Sequence, residues 1–600
     1  MKKNNLFKVV GISILAFVLL SWIVPIVYGI AGIELAGEET VSTQIGFISI
    51  INVLLETFSG FGTVVLFILL VGAFYGALKA TGAFDKIVNY LTSKATGKEK
   101  CALITTIIVM TLISSISGLD LGLIVVFPLL IAFIAGMGYD KMVALGATLG
   151  ATLVGVYGGT FAGTTYGTND TLLELGKYSQ MIPKVVFLVL GLAALLVLVI
   201  RYCESKKLVF DKESAKKALL IEGIVLFAIA FATGSVALFN EVFGGTKLLV
   251  TMIVLASVSL VAVCALMYAL TKNIWKALTA LFILVFGFSL AFTIGFANKS
   301  VASVLWIVLA SVSLAALIAL IVKLVLDCKK SKKVNAKRVN AKKESVVKSK
   351  RGDKRGVVAG LIIVGCLLLV LFLGTTSWGD IFKSNWFEKA HVSWTGFTVG
   401  GFAILNKLFG GIDAFGSWTT INRFQNYSAL LVIAIIALKF AYKTKWADVL
   451  AGALEGFKEY VVPALLAVLA YSVFVFAFYN QFFVTLTNSI LKTSTDFNVV
   501  STGIYSMLNS VVYADYYYLS NSLLYNIKAL YNEEATLSII SVMFTNLYGL
   551  VMLMAPTSVL LLVSLSISDV KYTDWLKFIW KLLLALFVLS FVVFTIMVLV

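Results

Sequence analysis

The chain has 600 residues, of which 60% are hydrophobic and 13% charged, with a formal net charge of +18 and a mean hydropathy of +1.01. This balance excludes a soluble globular domain. Apolar runs of roughly 18 residues or more recur from end to end, each able to cross a hydrocarbon core of about 30 Å, so the expected class is a polytopic α-helical membrane protein.

A β-barrel is excluded because barrel strands read as alternating segments of about ten residues. The cysteines (Cys101, Cys203, Cys264, Cys328, Cys366) stand singly, and the one histidine, His391, has no metal-ligating neighbours. No phosphate-binding loop of the GxxxxGK[ST] type is present. Neither an enzyme nor an ATP-driven machine is expected.

In chain order, a first retained span is expected at 7–29, too long for a signal-peptide core. The loop at 30–60 holds Glu34, Glu38, Glu39 and Glu56 and no Lys or Arg, as an outside loop does. A span at 62–80 leads to Lys86, Lys94, Lys98 and Lys100, which mark the cytoplasmic side. Residues 101–141 are apolar but carry lysines at both ends and a polar break at Ser114, Ser115, Ser117, Gly118 and Asp120. Length, charge and break together predict a re-entrant hairpin turning at mid-depth, a path tolerated only where backbone is buried in protein or lines a cavity.

A span at 142–165 loses its helical character in VYGGTFAGTTYGTND (156–170), at Thr160, Gly163, Thr164, Thr165 and Asn169. After a span at 181–201, four more at 218–240, 247–270, 277–296 and 302–326 form a membrane insertion (211–328). Residues 329–355 hold thirteen Lys/Arg against two acids. They form a basic cytoplasmic linker (329–356) able to attract anionic lipid at about 1 kcal/mol per basic residue. Spans follow at 357–375, 427–443 and 461–479. A second hairpin at 482–532 has its break at Asn509, Ser510 and Asp515, and a span at 536–557 ends in Pro556, Thr557 and Ser558, with Asn546 inside it. The last span is 577–599. The N-terminus is expected in the cytoplasm and the C-terminus outside, in the plasma membrane of a bacterium.

In the halves 1–210 and 357–600 the span after each hairpin aligns without a gap, and the hairpins themselves overlay after a shift of one residue. Residues 137–165 lie over 530–558, and 112–130 over 506–524, one unit entering the membrane from inside and the other from outside. The fold class is therefore all-α and polytopic, with about 13 transmembrane helices and two re-entrant hairpins in an inverted repeat. Paired broken helices in inverted repeats are how secondary transporters build a midplane site, because each break exposes N–H or C=O groups worth about half a charge. Carboxylates at depth, Asp120 and Asp515, are candidate ligands for a coupling Na+ or H+, or for a cationic cargo.

LFILLVGAFYGALKATGAFDKIVNYLTSKATGKEK (66–100), GYDKMVALGATLGA (138–151), ALEGFKEYVVPALLAVLA (453–470) and APTSVLLLVSLSISDVKYTDWLKFIWKLLL (555–584) resemble the YfcC-like C4-dicarboxylate anaerobic carrier family of the ion transporter superfamily. The resemblance covers roughly 1–200 and 357–600, and APTS with the WLKF helix after it is its most specific part. It implies secondary transport of amino acids or dicarboxylates on an elevator-like scaffold with two hairpins. The chain departs from the family pattern in the four-span insertion and in the tip VYADYYY (512–518).

The residues themselves lean toward amino acids. Only five arginines exist (Arg201, Arg338, Arg351, Arg355, Arg423), none in a predicted hairpin or broken helix, so no bidentate clamp for carboxylates is visible. Two carboxylates and the tyrosines 513, 516, 517 and 518 suit an ammonium or guanidinium group. Amino-acid transport, down to arginine/ornithine antiport, is the main expectation. A C4-dicarboxylate carrier is the alternative, and an ion channel the competing class. The expected partners are a small-molecule substrate, membrane lipid and a second copy of the chain in a homodimer, with no nucleic acid and no cofactor.

Overall fold

The computed structural model of the protein describes residues 3–32, 45–161, 168–176, 180–206, 354–382, 386–399, 402–404, 406, 412–418, 422–480, 482–491 and 496–599. The four spans expected between 218 and 326, and the basic linker up to 353, lie outside the described residues. By contacts the chain divides into Met1–Phe210 with Arg355–Val600, and Asp211–Lys354; the description below concerns the first unit.

Among the described residues all regular elements are helical. The first half runs α1 (Lys3–Ile30), α2 (Phe47–Gly60), α3 (Gly62–Ala80), α4 (Ala83–Ala95), α5 (Glu99–Ser117), a 3-10 turn (Leu121–Val125), α6 (Phe127–Gly136), α7 (Lys141–Tyr157), α8 (Thr168–Leu172) and α9 (Met181–Ser205). Then follow α10 (Lys354–Thr375), α11 (Trp378–Phe382) and α12 (Trp386–Thr395). The second half runs α13 (Asn422–Tyr442), α14 (Trp446–Glu459), α15 (Val461–Tyr479), α16 (Phe482–Leu491), α17 (Val499–Val512), α18 (Tyr516–Leu530), α19 (Glu534–Met552), α20 (Val559–Ser568) and α21 (Tyr572–Leu599). Nine of the described helices are long and apolar enough to cross a membrane, and six shorter apolar helices accompany them. The protein is a multi-pass membrane protein.

The order of elements repeats, and so does their packing. Helix α2 packs on α15 as α14 packs on α3, and α1 packs on α15 as α13 packs on α3. Likewise α5 and α9 pack on α7, as α17 and α21 pack on α19. Each contact thus has a counterpart with the halves exchanged. Corresponding helices α9 and α21 pack on each other, and Arg201 and Lys206 at the end of α9 share a groove with Asp574 and Lys577 at the start of α21. The two run in opposite directions, so the repeat is inverted.

The tightest crossing joins α3 to α14. At Gly76 a methyl group would overlap the Gly452 carbonyl oxygen, and at Gly456 it would overlap that of Gly72. Small residues here let two backbones touch, which is how helices without a hydrophobic drive between them associate in lipid.

Hairpin 1 is α5, the 3-10 turn and α6. Three residues join α5 to α4, and α6 returns to pack on that same helix, with Gly136 against Thr92. Both arms therefore open at one end. Gly118, at φ 69, closes α5 by donating its N–H to the Ser114 carbonyl, a backbone state that suits glycine. The 19 residues of α5 extend about 28 Å at 1.5 Å per residue.

Hairpin 2 is shorter than 482–532. Asn498 accepts hydrogen bonds from the backbone N–H groups of Val500 and Ser501 at 2.8 and 3.2 Å, starting a new helix, so α16 is a separate helix packed on α17 and the arms are α17 and α18. Two broken spans also end early, α7 at Tyr157 rather than 165 and α19 at Met552 rather than 557. The presumed outside loop at 30–60 contains helix α2, and α14 was not expected at all.

Candidate substrate site at the hairpin tips

Three segments start at one place. Asp120 caps the 3-10 turn, its Oδ1 accepting from the Leu121 N–H at 2.6 Å. Asp515 caps α18, its Oδ1 accepting from the Tyr517 N–H at 3.0 Å. Ser558 caps α20, its hydroxyl accepting from the Leu561 N–H at 3.4 Å. All three residues line one small cavity, closed by Tyr471, Tyr548 and Met552, with about 20 Å³ of room for water centres. Three helical N-termini, each with a partial positive charge, thus converge on a space walled by two carboxylates. The space fits a water molecule or a small ion.

Hydrogen bonds from other helices fix the tips. The Tyr75 hydroxyl donates to the Val125 carbonyl at 2.6 Å beside hairpin 1. The Tyr548 hydroxyl donates to the Ala514 carbonyl at 3.1 Å beside hairpin 2. Each hairpin is also stitched to the broken span of its own half. Ser115 donates to the Gly158 carbonyl at 2.8 Å and lies 3.1 Å from the Thr160 hydroxyl, while Thr557 donates to the Val511 carbonyl.

The decisive group was not expected. Arg423, the second residue of α13, is 2% exposed and places Nη2 2.7 Å from Oδ2 of Asp515. No arginine lies within a hairpin or broken helix, as expected, but Arg423 reaches the tip of hairpin 2 from α13 and is buried there against Asp515. In sequence it stands at the edge of an apolar run, where a basic residue reads as an interfacial anchor. The tyrosines differ from expectation as well: Tyr513 and Tyr516 are buried, and Tyr518 packs its ring against Phe61 and Phe474 at 5.4 and 5.0 Å.

A second polar cluster lies where α8 meets hairpin 2. Asn169 donates from Nδ2 to the Tyr516 hydroxyl, to the Ser541 carbonyl at 3.0 Å and to the Thr545 hydroxyl at 3.2 Å. Next to it Asp170 accepts from the Ser541 hydroxyl at 2.7 Å and lies 3.6 Å from the Lys184 ammonium. Asp170 and Lys184 were missed; a lone lysine three residues into an apolar span was the available signal.

The remaining candidates divide. Ser114 is buried where α5 meets Gly155 of α7. Ser117, Asn509 and Ser510 bond the carbonyls of Ile113, Tyr505 and Ser506 in their own helices. Asn546 donates to the Tyr157 carbonyl at 3.0 Å and accepts from the Ser590 hydroxyl at 2.7 Å, tying the halves together. Pro556 is half-buried in the turn before α20. Gly163, Thr164 and Thr165 lie outside the described residues.

A family model described as DcuC, C4-dicarboxylate anaerobic carrier, matches residues 23–222. The resemblance is to the C4-dicarboxylate anaerobic carriers. The match takes in hairpin 1, both stitches of Ser115 and the described part of the first half from residue 23 onward, leaving out most of α1. It is a transporter family, and it favours the dicarboxylate alternative over the amino-acid expectation. No curated protein and no solved structure matches the chain.

Proposed function

We propose that the protein is a secondary carrier of C4-dicarboxylates, with the cavity between the hairpin tips as its substrate site. Arg423 carries this assignment. A buried guanidinium presents a planar, permanently charged fork suited to carboxylate, and here it already holds one, that of Asp515. A substrate carboxylate replaces Asp515 on Arg423, and the N-termini of α18 and α20 stabilise the second charge. The family match supports the same cargo, and the arginine removes the physical ground for preferring an ammonium substrate.

With about 20 Å³ of room, the cavity is closed to a four-carbon dianion, so loading requires a hairpin tip to move away from its partner. Asp120 on the same wall is the carboxylate for a coupling Na+ or H+. The test is counterflow in proteoliposomes loaded with unlabelled succinate, with labelled succinate outside. Accumulation that unlabelled fumarate competes and arginine or ornithine does not is the expected result. Competition by arginine or ornithine, with none by fumarate, overturns the assignment, and flux that does not saturate points to a channel.

A further inference from the structure

At the basic end of the first unit the last turns of α9 and the first turns of α21 enclose a groove of about 670 Å³. Four cations line it, Arg201, Lys206, Lys577 and Lys581, against one carboxylate, Asp574. Two of the ammonium groups stand over aromatic rings of the same wall, Lys581 at 5.6 Å from the Trp580 ring centre and Lys206 at 6.0 Å from that of Tyr202. The Tyr202 hydroxyl is turned to Asp140 Oδ2 at 2.7 Å, so its ring is fixed as part of the wall.

Polarity changes along the groove. Moving up α9 from Arg201 the lining becomes Leu198, Val197 and Ala194; moving down α21 from Lys581 it becomes Leu582 and Ala585. One end is cationic and aromatic, the other aliphatic. Val197 and Trp580 are 43% and 53% exposed, on helix faces that no other described element covers. Both are faces of helices long enough to span the membrane.

We infer that this groove is a binding site for an anionic phospholipid. The phosphate and glycerol of the headgroup lie among Arg201, Lys577 and Lys581, Trp580 sits at the level of the ester groups, and one acyl chain runs along Val197 and Ala585. Basic pockets between transmembrane helices select anionic headgroups in this way, and an indole prefers the membrane interface. The lipid pins α9 of one half to α21 of the other, at the point where the inverted halves meet. The site is separate from the hairpin tips and independent of which solute is carried.

The experiment reads Trp580 fluorescence in proteoliposomes of the full chain, with bromine on the acyl chains of either phosphatidylglycerol or phosphatidylcholine at equal content. The Trp580 signal is isolated as the difference between the wild-type chain and Trp580→Phe. Brominated phosphatidylglycerol is expected to quench it more strongly than brominated phosphatidylcholine. In the double variant Lys577→Gln with Lys581→Gln the preference falls roughly tenfold or more. Excess inorganic phosphate leaves it unchanged, because the acyl chain is part of the ligand. Equal quenching by both lipids, or a preference that survives the double variant, overturns the proposal. Should Trp580→Phe fail to fold, native mass spectrometry of the wild-type chain decides: retained phosphatidylglycerol in excess of phosphatidylcholine supports the site, and equal retention overturns it.

Discussion

Arg423 Nη2 and Asp515 Oδ2 stand 2.7 Å apart, joining the start of α13 to the tip of hairpin 2 with side chains only 2% and 10% exposed. Removing one member leaves the other charged and buried, which costs about 3–5 kcal/mol, whereas removing both is close to neutral. Arg423→Gln is therefore expected to lower the unfolding temperature in detergent sharply. The double variant Arg423→Gln with Asp515→Asn is expected to recover most of that stability. Succinate counterflow separates the two roles of the pair: it stays absent in the double variant, because the carboxylate-binding guanidinium is still missing. A double variant that folds and transports normally makes the arginine merely structural.

The Asp170–Lys184 pair follows the same physics without the transport chemistry. Lys184→Met is expected to destabilise the protein by roughly 2–4 kcal/mol, and adding Asp170→Asn to restore most of it. A double-mutant cycle on the unfolding midpoint measures this coupling. Coupling energy near zero makes the 3.6 Å pair energetically silent.

Two serines of hairpin 1 are predicted to behave differently. Ser115 reaches across to Gly158 and Thr160, whereas Ser117 stays within the hairpin, donating to the Ile113 carbonyl and accepting from the Leu119 N–H. Ser115→Ala leaves the buried Gly158 carbonyl without that donor, at about 1–3 kcal/mol. It also loosens the hairpin from α7, so the initial rate of counterflow should fall with it. Ser117→Ala leaves the buried Leu119 N–H without that acceptor, also at about 1–3 kcal/mol, but touches no contact with α7, so its initial rate should stay near that of the wild type. The comparison needs only thermal unfolding and initial rates on the two purified variants.

Gly76→Ala places a methyl group on the Gly452 carbonyl, so α3 and α14 must separate. Overpacking of this kind costs about 1–3 kcal/mol. Gly365→Ala in α10, where nothing lies within 4 Å, is the control and is expected to leave the unfolding temperature unchanged or slightly raised.

What the sequence disclosed and what it hid follow from the range of the forces involved. Long apolar runs reveal spans because hydropathy is summed over a window. The breaks at Gly118 and Asp120 were legible because a glycine and a carboxylate inside such a run have few other uses. Helices α2 and α14, of 14 residues each, fall below that window and were passed over. Arg423 was misjudged because burial of a charge depends on a partner 92 positions away, which no local pattern contains. For Asn169 the residue type was enough to single it out. Its partners Tyr516, Ser541 and Thr545 became visible only in three dimensions, as did the ion pair of its neighbour Asp170.

The crossing of Gly72 and Gly76 with Gly452 and Gly456 also sets a schedule for synthesis. The glycine face of α3 leaves the ribosome long before its partner exists, and the stretch from Gly76 to Gly452 takes roughly 20–75 s to translate at about 5–20 residues per second. During that interval the newly inserted first half holds an unmatched strip of exposed backbone against lipid. Whatever shields that strip, whether insertase, chaperone or lipid, acts on a half-finished membrane protein, and a messenger truncated before codon 452 yields a product that lacks the partner glycines of this crossing.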